Sequence, residues 1–391
     1  MKRKTWLAFV VFMLFMNLFS IGQDARIQSF LDQYNPDSVQ TQIKKLSGEI
    51  PVAVNGQTLT IQSRLYNNPG NEHAFQYCKQ LFSDWGYVTG QQIFSANGKN
   101  LFAVKTGTTF PERVCIIGAH YDDVPTGSIA PGADDNASGV AAVLEIARIM
   151  SDENFPNTLV FALWDEEELG LIGSSAYTEA TIHGKNLLSY INLDMIGWDG
   201  NNDRKTELQV RPVANSLSLA SLVLEAQQAY GINLELKIVN PGSVNTDHYS
   251  FWKKGFTAVG INEEYTGDFN PHYHSTGDLF SELNLPYLDE NVRLVLASFS
   301  ELAYSMTNNE ALEQLLVYPN PASEEIHLDF GKSVDSPITF KVSDNTGRVL
   351  IHEIRQNTHE IILDVSLLEA GRYFISLLID GEIKTFSIVK D

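Results

Sequence analysis

The 391-residue sequence predicts an α/β domain with a mostly parallel central sheet flanked by helices, followed by a small all-β sandwich. Three observations predict it. Between Val114 and Ile261, short apolar runs alternate with segments of helical period, as strands buried on both faces of a sheet do. Acidic residues and histidines stand at the ends of those runs, the edge where open α/β sheets build their sites. Beyond Asn308 the helical segments stop, and short β-rich runs follow at regular spacing with turn signals between them.

The start is basic, then apolar. Lys2, Arg3 and Lys4 precede the run Trp6–Ile21, and the small residues Ser20 and Gly22 come before Gln23. This reads as a secretory signal peptide over residues 1–22, with an N-terminal membrane anchor as the competing reading. No other stretch is long and apolar enough to span a bilayer, so no stable membrane span is expected after signal cleavage. The net charge of −21 argues against nucleic acid and against an anionic membrane surface as partners. Cys78 and Cys115 make no disulfide framework. Cys115 sits in an apolar run and reads as a buried small hydrophobe; whether it pairs with Cys78 stays open.

Ala25–Tyr34 and Pro36–Leu46 suit helices, and Thr58–Gln62 suits a short strand. Asn71–Trp85 has a helical period and is stopped by Gly86. Tyr87–Phe94 and Asn100–Thr106 read as strands. The alternation then begins: strand Val114–Gly118, helix Ala137–Met150, strand Thr158–Trp164, helix Leu171–Glu179 and strand Leu187–Met195. It continues with strand Leu208–Arg211, helix Ser216–Tyr230 with Ser216 as N-cap, strands Glu235–Val239 and Thr257–Ile261, and a closing helix Pro286–Ser305. The tail strands are expected at Ile326–Phe330, Ile338–Ser343, Val349–Ile354, Glu360–Val365, Arg372–Ile379 and Lys384–Val389.

Five residues in five separated stretches carry the chemistry: His120, Asp135, Glu168, Asp194 and His274. Two imidazoles and three carboxylates suit zinc or a similar divalent ion, and they suffice for two ions if one carboxylate bridges. Each stretch alone has a plain structural alternative. Asp134-Asp135 could cap the next helix, Glu166–Glu168 could be a solvated charge run, and His272 and His274 could be surface residues. The ends of buried strands are costly places for lone carboxylates, which favours a bound cation. There is no H-E-x-x-H helix, no G-x-S-x-G elbow and no phosphate-binding loop.

The stretches GAHYDD, PGADDNASG, EELGLIGS, NLDMIG and YHSTGD, in this order, resemble the metal motifs of the M28 zinc aminopeptidases, over residues 60–305. The resemblance implies two Zn2+ ions. His120 and Asp194 would bind one, Glu168 and His274 the other, and Asp135 would bridge. Asp122 would buttress His120, and Glu167 would be the general acid/base acting on a hydroxide held between the metals. Tyr273 has the position of a tyrosine that some relatives carry; it is expected either to stabilise the oxyanion or to serve packing. The substrates implied are peptides with a free N-terminus. Alternatives on the same fold are a single-zinc glutaminyl-peptide cyclase, a carboxypeptidase and a non-catalytic scaffold. Asp247-His248 resembles the family's S-D-H segment and is expected to shape the surroundings, while Glu263 and Glu264 are expected near the pocket.

The tail motifs VYPNPASEEIHLDF, NTGRVL, LEAGRYFISL and KTFSIVKD resemble the C-terminal sorting domain of type IX secretion cargo. The competing reading is an accessory sandwich for carbohydrate or protein. The expected organisation is a signal peptide at 1–22, a peptidase domain at 23–307, a linker at 308–314 and a sorting domain at 315–391. The type IX machinery is the implied partner, and the product is secreted or held at the cell surface.

Overall fold

The computed structural model describes residues 23–124, 129–180, 186–305, 315–334, 337–344, 347–356, 358–379 and 382–391. The signal peptide and the linker lie outside the described residues. Helices α1 (Ala25–Asp32) and α2 (Pro36–Leu46) open the chain. Asp24 and Asn35 cap them, each side chain accepting the backbone N–H two residues on. A hairpin of β1 (Val52–Val54) and β2 (Gln57–Leu59) follows, where the sequence predicts one strand. Three-residue strands are too short for periodicity to register. Helix α3 (Pro69–Asp84) then leads into the main sheet.

That sheet has eight strands: β3 (Val88–Ile93), β4 (Lys99–Lys105), β5 (Phe110–His120), β6 (Asn157–Trp164), β7 (Asn186–Leu193), β8 (Lys205–Gln209), β9 (Glu235–Val239) and β10 (Ala258–Glu263). Their spatial order is β3-β4-β6-β5-β7-β10-β8-β9. The central four, β6, β5, β7 and β10, are mutually parallel. Antiparallel pairings flank them on both sides, and β8–β9 is parallel again. Every residue of β6 and β10 is buried, which is why these runs show no polar alternation.

Helices α4 (Gly139–Met150), α5 (Ile172–Ala180), α6 (Ser216–Ala229), α7 (His248–Lys253) and α8 (Leu285–Tyr304) cover the faces. Alternate strand residues sort between two cores. Cys115, Ile117, Leu159, Phe161 and Ile191 join the core built with α4 and α8. Ile116, Val160, Trp164 and Tyr190 join the core built with α5 and α7. Asn215, not Ser216, stands at the N-cap of α6. The Ser216 hydroxyl instead donates to the Val213 carbonyl at 2.6 Å and accepts the Ala258 N–H at 3.0 Å, tying the helix to β10. Both cysteines are buried and free.

The tail forms two sheets. β11 (Leu316–Tyr318), β12 (Glu325–Val334) and β15 (Thr358–Asp364) make one; β14 (Val349–Arg355), β13 (Ile338–Asp344), β16 (Gly371–Ile379) and β17 (Glu382–Lys390) make the other, in that order. They enclose a core of their own that includes Ile326, Phe330, Phe340 and Ile375. β17 lies against α6, where the Thr385 N–H donates to Ser218 Oγ at 2.6 Å. No helix among the described residues is long and apolar enough to cross a membrane.

Candidate metal centre

The parallel strands deliver the site. His120 is the last residue of β5, paired in register with Trp164 at the end of β6. Glu167 and Glu168 follow β6 after Asp165 and Glu166, and Asp194 directly follows β7. Asp135 lies in a wide π-type turn (Ala133–Ser138) ahead of α4, where it and Asn136 leave helical geometry. Gly132 starts that turn at φ +50°; a Cβ there would meet Arg64 Nη2 and the Asp135 carbonyl, each at 2.5 Å. Glu166, Met195 and His274 have φ of 56°, 55° and 52°. Left-handed backbone at non-glycine residues costs about 1–2 kcal/mol each and tends to persist where surroundings over-determine it. Here Asp165 anchors the Glu166 turn, accepting from Asn71 Nδ2, Tyr121 Oη and the amides of Lys99 and Glu166.

All five candidate ligands meet at the base of one cavity of about 650 Å³. The two oxygens of Asp135 face different histidines: Oδ1 is 3.2 Å from His120 Nε2, and Oδ2 is 3.3 Å from His274 Nε2. Asp194 Oδ1 completes the first half at 3.3 Å from His120 Nε2, and Glu168 Oε2 the second at 2.9 Å from His274 Nε2. His120 turns Nδ1 toward Asp122, 3.3 Å from its carbonyl and 3.5 Å from Oδ1. The Asp122 carboxylate also accepts the amides of Glu167 and Glu168 at 3.1 and 3.2 Å. Glu167 is buried beside His120 and lines the cavity.

The electrostatics fit a cation. Burial opposes charge on His120, yet Glu167 and the bonds from Asp122, Asp135 and Asp194 raise its pKa well above the usual value. Burial also opposes charge on His274, but Asp135 and Glu168 lift it to about 10. Burial and the Asp135 charge push Glu168 up to about 8. For Asp135, burial is outweighed by the two histidines and its pKa falls. Burial raises Glu167 well above the ordinary glutamate range; His120 opposes this, while Asp247, Asp194 and Glu168 add to it. Without a cation, these groups must share protons to stay buried together. His274 Nε2 and Glu168 Oε1 are buried atoms with no hydrogen-bond partner. His274 Nε2 thus faces two carboxylate oxygens without an aligned hydrogen bond to either, and with Glu168 Oε1 unpartnered this borderline N/O set fits zinc. The groupings His120–Asp135–Asp194 and Asp135–Glu168–His274 each bring their ligand atoms within 4.8 Å of one another.

Tyr273 stacks on His274 at 3.6 Å between ring centroids and is 40% exposed. Asp247 is buried below the site, and burial lifts its carboxyl to about 7. His248 is buried against Trp252 and bonded to Thr246 Oγ1; burial presses its pKa down to about 3. Glu263 and Glu264, expected near the pocket, adjoin it in the chain without lining it. Glu263 is wholly buried and accepts the amides of Trp198 and Asn270, while Glu264 pairs with Lys237. The next aromatics, Tyr265 and Phe269, line it instead. Strand β10 carries Glu263 inward and the turn after it swings Tyr265 to the cavity, a reversal that residue type does not signal.

Residues 100–299 match peptidase family M28, about half of the chain. The chain belongs to peptidase family M28. Residues 316–391 match the secretion system C-terminal sorting domain, so the tail is a sorting domain. Among curated M28-type relatives, a probable leucine aminopeptidase of Trichophyton verrucosum is 30% identical over 214 residues, 52% of this chain and 57% of the relative. One of Arthroderma otae is 29% identical over 241 residues, 58% of this chain and 64% of the relative. The chain thus spans between about half and two thirds of these relatives' length. In fold, the M28 chain resembles the LapA aminopeptidase of Legionella pneumophila, with TM-score 0.62, 19% identity and coverage of 74% and 76% of the two chains. It also resembles the glutaminyl cyclase of Porphyromonas gingivalis, with TM-score 0.58, 18% identity and coverage of 69% and 99%.

Proposed function

We propose that this M28 chain is an exported two-zinc aminopeptidase that removes N-terminal residues from peptides. The observation that carries the reading is the division of Asp135 between His120 and His274, with Glu167 free beside them. His120 and Asp194 would hold one ion, Glu168 and His274 the other, and Asp135 both. Zinc there supplies Lewis acidity and makes water acidic enough to be a nucleophile near neutral pH.

The protein's own groups do the rest. Asp122 draws the His120 proton to Nδ1, which leaves Nε2 an electron-pair donor. Its grip on the Glu167 and Glu168 amides sends one carboxylate to the ligand set and leaves the other free. Glu167 takes a proton from the attacking water and returns it to the leaving amine. The carboxylates of the cavity would receive a free α-ammonium, which favours trimming from the N-terminus. The division of labour at 23–307, 308–314 and 315–391 follows from the same reading, with the sorting domain taking the product to the exterior or cell surface by type IX export.

The test is hydrolysis of leucine-p-nitroanilide by the mature protein before and after chelation, with bound zinc counted. Chelator-sensitive release with about two zinc ions per chain is expected. One zinc and cyclisation of N-terminal glutamine would replace the reading with a cyclase; no metal uptake from supplied zinc would sink it. An N-acetylated peptide cleaved as fast as the free amine would remove the amine-binding part.

A further inference from the structure

One phenol in the cavity wall has a hydrogen bond left to give. Asn262 is wholly buried, and its Nδ2 lies 2.6 Å from the Asp194 carbonyl and 2.7 Å from the Tyr265 hydroxyl. A carbonyl only accepts, so the amide group facing it is the NH2; exchanging N and O would set two acceptors 2.6 Å apart. The NH2 only donates, so the Tyr265 oxygen accepts from it. The phenolic hydrogen is then free for another acceptor, and among the described residues none receives it.

Tyr265 lines the same cavity as His120, Asp135 and Glu167. Its ring is held edge-on to Phe269 at 5.6 Å, and Phe269 meets Tyr273 in the same way at 5.0 Å. A hydroxyl that accepts a bond from behind is a stronger donor in front. The Tyr273 hydroxyl lies on the same wall, but no hydrogen bond within the described residues orients it, and its ring is 40% exposed.

We propose that Tyr265, oriented by Asn262, donates its hydroxyl hydrogen to the carbonyl oxygen of the scissile bond. The proton stays on the phenol; the bond shortens as the oxygen gains negative charge, so it favours the transition state over the bound substrate. This rests on the peptidase reading above.

Tyr265→Phe deletes one oxygen and keeps the ring packed on Phe269. With leucine-p-nitroanilide, kcat is expected to fall about 10- to 100-fold while KM stays within about threefold. Zinc content and thermal midpoint should match the parent. A phosphinic dipeptide analogue, which mimics the tetrahedral carbon, should bind more weakly by the same factor, whereas free leucine should bind equally well. Asn262→Asp, which turns the phenolic hydrogen inward, should repeat the kcat loss. A Tyr265→Phe enzyme with parental kcat overturns the proposal. So does a loss matched by lost zinc, or by an equal loss of affinity for free leucine, because each marks a structural role. A parent protein that releases no N-terminal residue overturns the peptidase reading itself, and this proposal with it.

Discussion

Asp278 holds Asp135 by its backbone: Oδ2 accepts the Asp135 N–H at 3.0 Å, while Oδ1 accepts the neighbouring Asp134 N–H at 2.9 Å. The loop that carries His274 thereby clamps the turn that carries Asp135. Asp122 repeats the construction on the other side, gripping Glu167 and Glu168 from the segment of His120. Asp278→Asn would set an NH2 against one of the two amides. We expect the protein to fold and its zinc to be held about 10- to 100-fold more weakly, read by chelator competition. Chelator resistance equal to the parent's would show that the clamp does not position the ligands.

Glu167→Gln removes the proton carrier but no expected ligand. Zinc should stay bound, and kcat should drop by about 10²- to 10⁴-fold. The pH profile gives a second reading. Burial raises the Glu167 pKa, and the neighbouring acids add to it, so the ionised base is lost as pH falls through that raised value. Activity of the parent should therefore fall on the acid side as Glu167 takes up a proton, and Glu167→Gln should lack that limb; bound zinc would move it to lower pH than burial alone sets. A residual activity with the same limb would assign it to another group.

Arg64 is the stability centre under the site. It is fully buried, donates to the carbonyls of Leu46, Tyr121, Pro131 and Gly132, and lies 3.6 Å from Asp123 Oδ2. Arg64→Met leaves the Asp123 charge and four carbonyls without it. The expected loss is about 3–5 kcal/mol in urea unfolding. Arg64→Lys should recover little of it, because an ammonium cannot span the fork. A midpoint unchanged in Arg64→Met would mean that these carbonyls find other donors.

The sorting domain has its own core and contributes no residue to the cavity wall. Deleting residues 316–391 should leave specific activity unchanged and cost about 1 kcal/mol through the Ser218–Thr385 bond. Cell fractionation should find the truncated enzyme retained within the envelope. Loss of activity on truncation would show that the tail supports the peptidase fold.

The central sheet is legible because runs such as Thr158–Trp164 are apolar without interruption, and the candidates His120, Glu168 and Asp194 stand out because charge appears where those runs end. The clamps are not. Asp278, Arg64 and Asn262 act through bonds to residues far along the chain or around a turn, and nothing in their neighbours' residue types announces a partner. Glu263 is of the same kind: its place near the pocket can be expected from the sequence, but not that Asp134, Trp198 and Asn270 enclose it. The extra strands β1 and β11 escape because three residues carry too little pattern.

Each of the five candidate ligands belongs to a different segment, from the end of β5 to the loop before α8, so the full set exists only once those segments have met. The long-range pairing of β5, β6, β7 and β10 has to come first, and the His274 loop must then close over Asp135. If the five candidates do hold zinc, a complete site would become available late in maturation. A chain exported before it is folded would take its zinc from the compartment it reaches, so the metal supply of the destination, and not that of the cytosol, would govern how much working enzyme appears.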